Sequence, residues 1–439
     1  MDRLNRDILR LSIPTIVSNI TVPLLGICDT AISGHLGSEL FLSAIAVGAV
    51  MLNVVFWIFG FLRGGTTGLT ANALGEGAET EIAKVLYRSL LIALGAGVVL
   101  IALQHPLFLL LWEVTGSGEE IRPMVNSYFN YRIWGAPALL ATMALSGWFV
   151  GMQTTLYPMI IAISMNIINI GASCILVYLL DYGFAGVAIG TMLSNWLGLL
   201  VACVCFIWFQ RGKIIKCRLS ELMHGKWWRY FSVNANLFLR SFFIICVTMG
   251  VTAAGARLGN LTLAVNVIVM QFFLFFSFFM DGFAFSGEAI VGLRVGEKNR
   301  ELLDESTRRL LLWTLVNGLI FSAIYFAGLE WLASLLTDSP EVIEGVTSLW
   351  PWVGLIPILS CWAFIYDGFY IGLTDTFRMM LSALLGGLIF FGIIYAGRME
   401  WWGDEADGNG LIWTAFISYL TARGIYLAAN FRRAVTSRL

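Results

Sequence analysis

RDILRLSIPTIVSNITVPLLGICDTAISGHLG, residues 6–37, holds from Ile8 a largely apolar span with Pro14, Pro23 and a single carboxylate, Asp29, near its far end. About thirty residues rising roughly 1.5 Å each exceed a hydrocarbon core of roughly 30 Å, so the run predicts a membrane-spanning helix. A carboxylate inside such a span costs roughly 2.5–3.5 kcal/mol and is expected to face a protein interior or water rather than lipid. Asp29 is therefore the first candidate functional residue. The plainer reading is an interfacial carboxylate, because His35 and Gly37 mark the helix exit a few residues on. Pro14 and Pro23 each remove an i to i−4 hydrogen bond and are predicted to bend or loosen the helix.

The composition extends this reading to the whole chain. Of 439 residues, 58% are hydrophobic and 13% charged, against roughly 25% charged in soluble domains. An integral membrane protein is implied, with membrane lipid as its surroundings and no nucleic-acid partner. The seven cysteines form no C-x-x-C pair, and His35, His105 and His224 are far apart. No disulfide framework, metal site or cofactor is expected. The apolar run behind MDRLNRDILR is too long for a cleaved signal peptide and lacks a small-residue cleavage site, so the first span is expected to be retained.

Apolar runs of 18 or more residues predict twelve transmembrane helices, at about 9–34, 40–72, 85–112, 124–151, 156–180, 184–209, 230–256, 261–293, 308–336, 345–372, 378–397 and 409–431. With the N-terminus inside, 20 of the 27 Lys and Arg residues fall at cytoplasmic ends and four at outer ends. Both termini are thus expected in the cytoplasm. The chain also repeats itself. Gly75-Glu76 recurs as Gly296-Glu297, and Gly147, Gly151 and Thr155 recur as Gly368, Gly372 and Thr376, all at one common offset; Gly37 recurs as Gly259, within one position of it. Two pseudo-symmetric six-helix lobes follow, residues 1–209 and 230–439, with 210–229 as a basic cytoplasmic linker. Because six is even, the repeats are parallel.

DTAISGHLG from Asp29, FLRGGTTGLTANALGEG from Phe61, GARLGNLTLAVN from Gly255 and DGFAFSGEAIVGLRVGEKN from Asp281 closely resemble the multidrug and toxic compound extrusion (MATE) family, in its DNA-damage-inducible (DinF) branch. The resemblance covers nearly the whole chain. It implies an all-α, V-shaped molecule of two lobes that alternates between outward-open and inward-open forms. It also implies antiport of amphipathic, often cationic, organic compounds against H⁺ or Na⁺, by a monomer in a bacterial-type inner membrane. Residue by residue, the family's first-helix acid matches Asp29 and its bending proline matches Pro14. A fifth-span asparagine matches Asn169, a sixth-span threonine matches Thr191, and a fourth-span tyrosine matches Tyr128 or Tyr131. Relatives often carry a second aspartate four residues after the asparagine, where this chain has Ser173. Without that like charge, Asp29 depends mainly on desolvation to favour its neutral form.

The second half holds three further intramembrane carboxylates, Asp281, Glu288 and Asp367. Asp281 and Glu288 are two helical turns apart and share a face of the eighth span. In other branches of the family a tenth-span acid such as Asp367 belongs to a cation site; for all three acids the alternative is structural pairing with Arg240, Arg257 or Arg378. Trp112, Trp227, Trp228, Trp401 and Trp402 read as interfacial tryptophans. Some of the phenylalanines between Phe272 and Phe279 could face a cavity and hold a planar cation. A flippase for lipid-linked precursors, the activity of a sister family, is the alternative function; it requires a cationic cavity, for which only Arg63, Arg240 and Arg423 are candidates. H-E-x-x-H, G-x-S-x-G and G-K-[ST] are all absent from the chain, so neither an enzyme nor an ATP-driven pump is expected.

Overall fold

The computed structural model describes residues 3–34, 39–115, 118–211, 227–398 and 408–439. The side chains of 22–27, 29–31, 33, 34, 39, 42, 229 and 398 lie outside that description, and so, of the expected features, do those of Asp29 and Pro23 and most of the 210–229 linker. His35, Gly37, His224, Trp401 and Trp402 also lie outside the described residues.

The described chain is helical. In order it contains α1 (Arg3–Gly34), α2 (Glu39–Ile58), α3 (Phe61–Gly75), α4 (Glu79–Ala102), α5 (Gln104–Thr115), α6 (Arg122–Ile133), α7 (Ala136–Gly151), α8 (Leu156–Cys174) and α9 (Gly183–Phe209). The second half contains α10 (Trp227–Arg257), α11 (Asn260–Gly296), α12 (Arg300–Ser334), α13 (Pro340–Ser348), α14 (Trp350–Gly372), α15 (Thr376–Arg398) and α16 (Gly408–Thr436). Among the described residues, ten helical stretches are long and apolar enough to cross a membrane, or eleven when the bent pair around Trp134 is counted as one span. Several expected spans are broken helices rather than straight ones. The run at 40–72 divides into α2 and α3, 85–112 into α4 and α5, and 345–372 into α13 and α14. The run at 124–151 bends by 49° between its two helices.

The chain divides into two compact units, Ile13–Trp227 and a second made of Met1–Ser12 with Trp228–Leu439. The division falls within α1, next to Pro14, which cannot donate to the carbonyl one turn back. The first dozen residues therefore group with the later half of the chain rather than with 13–209. Their attachment is polar. Ser12 and Ser286 share a buried hydroxyl hydrogen bond of 2.7 Å, Ser286 Oγ donates to the Ile8 carbonyl at 3.3 Å, and Trp313 Nε1 donates to Asn5 Oδ1 at 3.2 Å.

Within each unit the sequence repeat has a physical cause. A Cβ added at Gly147 of α7 would lie 2.2 Å from the Arg63 carbonyl oxygen of α3, and one at Gly368 of α14 would lie 2.3 Å from the Ala284 carbonyl oxygen of α11. Arg63 and Ala284 are themselves separated by the same offset as the two glycines. One turn on, a Cβ at Gly151 would lie 2.8 Å from the Thr67 carbonyl oxygen and one at Gly372 would lie 2.9 Å from that of Glu288. Both glycines in each unit let two helix backbones touch.

The helix ends repeat as well. Beyond α3 the Ala78 N–H bonds the Ala73 carbonyl, and beyond α11 the Asn299 N–H bonds the Arg294 carbonyl. The intervening Gly77 and Lys298 both take positive φ, 67° and 54°, as a left-handed cap requires.

Because the obstructing atoms at Gly147 and Gly368 are backbone, neither site can relax around a methyl group. Gly147→Ala and Gly368→Ala are each expected to cost about 1–3 kcal/mol or more. Gly171, in α8, has open space where its Cβ would go, and Gly171→Ala should leave the melting temperature unchanged or raise it. Equal melting temperatures for the three purified variants would contradict this packing.

The cores are aromatic. In Ile13–Trp227, Trp148 and Phe149 pack edge-on against Phe209. In the other unit Phe272 and Phe276 are buried with Tyr325, Trp413, Phe416 and Tyr419. The Tyr325 hydroxyl donates to the Phe272 carbonyl at 2.8 Å. Trp112, read from the sequence as interfacial, is buried against Phe108 and Val125. Only its Nε1 reaches a polar partner, Glu119, at 3.3 Å. Glu119 also accepts from Arg122, and these two bonds hold its carboxyl below the ordinary glutamate range.

Candidate functional site

In the Ile13–Trp227 unit, Asn169 and Ser173 lie one helical turn apart on α8 and are 1% and 0% exposed. They meet α9 at Thr191. Asn169 Nδ2 donates to Thr191 Oγ1 at 2.9 Å, and Thr191 Oγ1 donates to the Val187 carbonyl at 3.0 Å. Close approach of the two helices depends on Gly190, whose added Cβ would stand 2.4 Å from Ser173 Oγ. Three of the residues named from sequence, Asn169, Ser173 and Thr191, thus form one polar seam in an apolar surrounding. Immediately beyond it α8 loosens into a π-helical turn, Ile175–Leu179, a feature frequent at functional sites.

The seam is incompletely satisfied. Among the described residues, Asn169 Oδ1 and Ser173 Oγ are buried and find no hydrogen-bond partner. Each such orphan costs about 1–3 kcal/mol if nothing meets it.

Helix α1 runs beside this seam, tied to it on both sides of Asp29. Asn166 Nδ2 donates to Thr21 Oγ1 at 2.7 Å, and the Tyr178 hydroxyl donates to the Ile32 carbonyl at 3.4 Å. The order of the two ties makes α1 and α8 parallel here. Asp29 is eight residues past Thr21 and Ser173 seven past Asn166, so their backbones lie within about 2 Å of the same level, given a helical rise of roughly 1.5 Å per residue.

Of the two tyrosine candidates, Tyr128 is buried. Its ring fills the space left by Gly48, and its hydroxyl accepts from Arg132 Nη1 at 2.9 Å. It belongs to the same apolar cluster as Val187 and Val177, next to the seam. Tyr131 is 44% exposed and is not brought to the seam.

The second unit holds a different arrangement. Asp367, on α14, accepts from Arg240 of α10 through Oδ2, and the same oxygen accepts from Arg423 Nη2 of α16 at 2.5 Å. Arg423 Nη1 donates to the Tyr419 hydroxyl at 2.9 Å and its guanidinium lies over the Tyr419 ring, 5.2 Å from the centroid. Gly386 of α15 makes room, since its added Cβ would stand 2.9 Å from both Arg423 Cγ and the Tyr419 ring.

Of the three arginines weighed as partners for the carboxylates of this half, Arg240 pairs with Asp367. Arg378 pairs with Asp375 instead, and Arg257 lines a surface cleft of about 370 Å³ with Tyr395 and Phe391. Arg423 was legible only as a cation inside a span; nothing local in the sequence ties it to an acid 56 residues away. Asp281 is half-buried and Glu288 buried on α11, and Glu288 occupies the repeat position of Thr67, beside the Gly372 contact. Among the described residues no group of three His, Cys, Asp or Glu side chains could hold a metal ion.

The family profile described as MatE matches this chain twice, over residues 14–175 and 237–396. DNA damage-inducible protein F of Escherichia coli (strain K12) is 32% identical over 429 residues, which cover 96% of this chain and 91% of that protein. The probable multidrug resistance protein NorM of Idiomarina loihiensis is 23% identical over 435 residues, 97% of this chain and 93% of its own. Among solved structures, the Vibrio cholerae MATE transporter VcmN in the bent form matches with a TM-score of 0.86 at 17% identity, covering 99% of this chain and 98% of its own.

Proposed function

We propose, for a chain that belongs to the MatE family of multidrug and toxic compound extrusion transporters, the role of a proton-coupled exporter of amphipathic, often cationic, organic compounds. As a member of that family the chain is a transporter and not an enzyme. The exchange runs by alternating access in a monomer of the bacterial inner membrane, with both termini cytoplasmic.

The observation that carries this reading is the unsatisfied seam of Asn169 and Ser173 at the level of Asp29. An ionised carboxylate has nothing to give the Asn169 carbonyl oxygen, whereas a protonated one has a single O–H that matches it. Ser173 can donate to either form. The seam therefore favours the neutral acid, and water or an approaching cation favours the charged one. Proton and substrate then compete for one carboxylate, which is antiport. A charge crossing 100 mV is worth about 2.3 kcal/mol, and each 1.4 kcal/mol is about tenfold. One proton thus supports roughly a forty-fold substrate gradient before any pH difference is added.

The other unit argues against Na⁺ as the coupling ion. Asp367, the tenth-span acid that matches a cation site in other branches, already holds two guanidinium groups and is more than neutralised. A lipid-precursor flippase is disfavoured because two of the three arginines available for a pyrophosphate share Asp367, leaving them a net charge of only +1.

Purified protein in liposomes, loaded with a cationic dye, tests the assignment by comparing an imposed pH gradient with an imposed Na⁺ gradient. Export is expected with the first and not the second. Export driven by Na⁺ at constant pH would overturn the proton assignment.

A further inference from the structure

The coupling scheme leaves the Arg240–Asp367–Arg423 cluster without a role. Three charged groups meet there with a net charge of +1. Arg240 stands close to the middle of α10, Trp227–Arg257, and the middle of a membrane-spanning helix lies near mid-bilayer.

The cluster is not closed. The side chains of Arg423 and Asp367 are only 5% and 8% exposed, but that of Arg240 is 23% exposed. A guanidinium at that depth is not expected to face lipid, so its open edge is the side by which a polar ligand reaches it. Three buried atoms of the cluster also lack partners among the described residues: Arg240 Nε, Arg423 Nε and Asp367 Oδ1. Two of the three are donors carrying positive charge.

We propose that this cluster is a binding site for the carboxylate head of an organic monoanion. The incoming carboxylate pairs with the Arg240 fork, its natural geometric match, while Asp367 stays paired with the buried Arg423. The charge fixes the ligand class. A monoanion brings the cluster to neutrality, whereas a cation would raise it to +2 and a pyrophosphate would carry it past neutrality. The transporter then handles amphipathic anions through Arg240 as well as cations through Asp29, at sites in different units of the chain.

Two dyes with one fluorophore and opposite charge separate this from the exporter scheme: dansylglycine, an anion, and dansylcadaverine, a cation. Binding to the purified full-length protein is read from dansyl fluorescence. Wild type should bind dansylglycine saturably. Arg240→Gln should weaken that binding at least tenfold and Arg240→Lys only a few-fold, with dansylcadaverine unaffected by either. Dansylglycine bound equally by wild type and a folded Arg240→Gln, or not bound at all, overturns the proposal. Equal loss of both dyes does so too. Should Arg240→Gln fail to fold, competition on wild type decides: benzoate displaces dansylglycine and tetraethylammonium does not, and the opposite order refutes the site. Failure of gradient-driven cation export would leave these binding results untouched, so the two ideas fall separately.

Discussion

Asp367→Ala is expected to destabilise the purified protein by about 3–5 kcal/mol, because removing one partner of a buried ion pair leaves the other charged and unmatched. Here one carboxylate oxygen serves two guanidiniums, and Arg423 is almost wholly enclosed by α14, α15 and Tyr419. Thermal unfolding in detergent should show a large drop in melting temperature. Asp367→Asn, which keeps an acceptor but not the charge, should fall between. Adding Arg423→Met to Asp367→Ala should restore much of the loss, since a buried pair exchanged for apolar groups is often near neutral. A melting temperature for Asp367→Ala indistinguishable from wild type would show that the two arginines do not depend on it.

Some of this architecture was readable before any coordinates. Gly147 and Gly368 are visible in sequence because two backbones in contact tolerate no other residue, so the constraint is written at a single position and repeated at the matching position of the second half. Asn169, Ser173 and Thr191 were gathered by family likeness, and they do share one seam. Breaks within spans were not readable. The 49° bend at Trp134-Gly135 joins a polar helix, RPMVNSYFNYRI, to an apolar one, APALLATMALSGWFVG, and a reading that averages over the whole run takes the two as one span. The attachment of residues 3–12 to Ser286 and Trp313 was hidden for a related reason. Serine and asparagine contacts 274 and 308 residues apart carry no local signature. The same holds for Arg423 and Asp367, whose meeting is set by how α14 and α16 pack.

Asp29→Asn bears most directly on the central claim. Asparagine keeps the size of the protonated acid, but it can neither release a proton nor become an anion that draws a cation. Folding and membrane insertion should therefore stay close to wild type, with little change in melting temperature. The decisive measurement is the initial rate of cationic-dye export from proteoliposomes under an imposed pH gradient, normalised to inserted protein. The account predicts that Asp29→Asn reduces this rate to the level of protein-free liposomes. Export by Asp29→Asn at a near-normal rate would contradict it and move the coupling to another group.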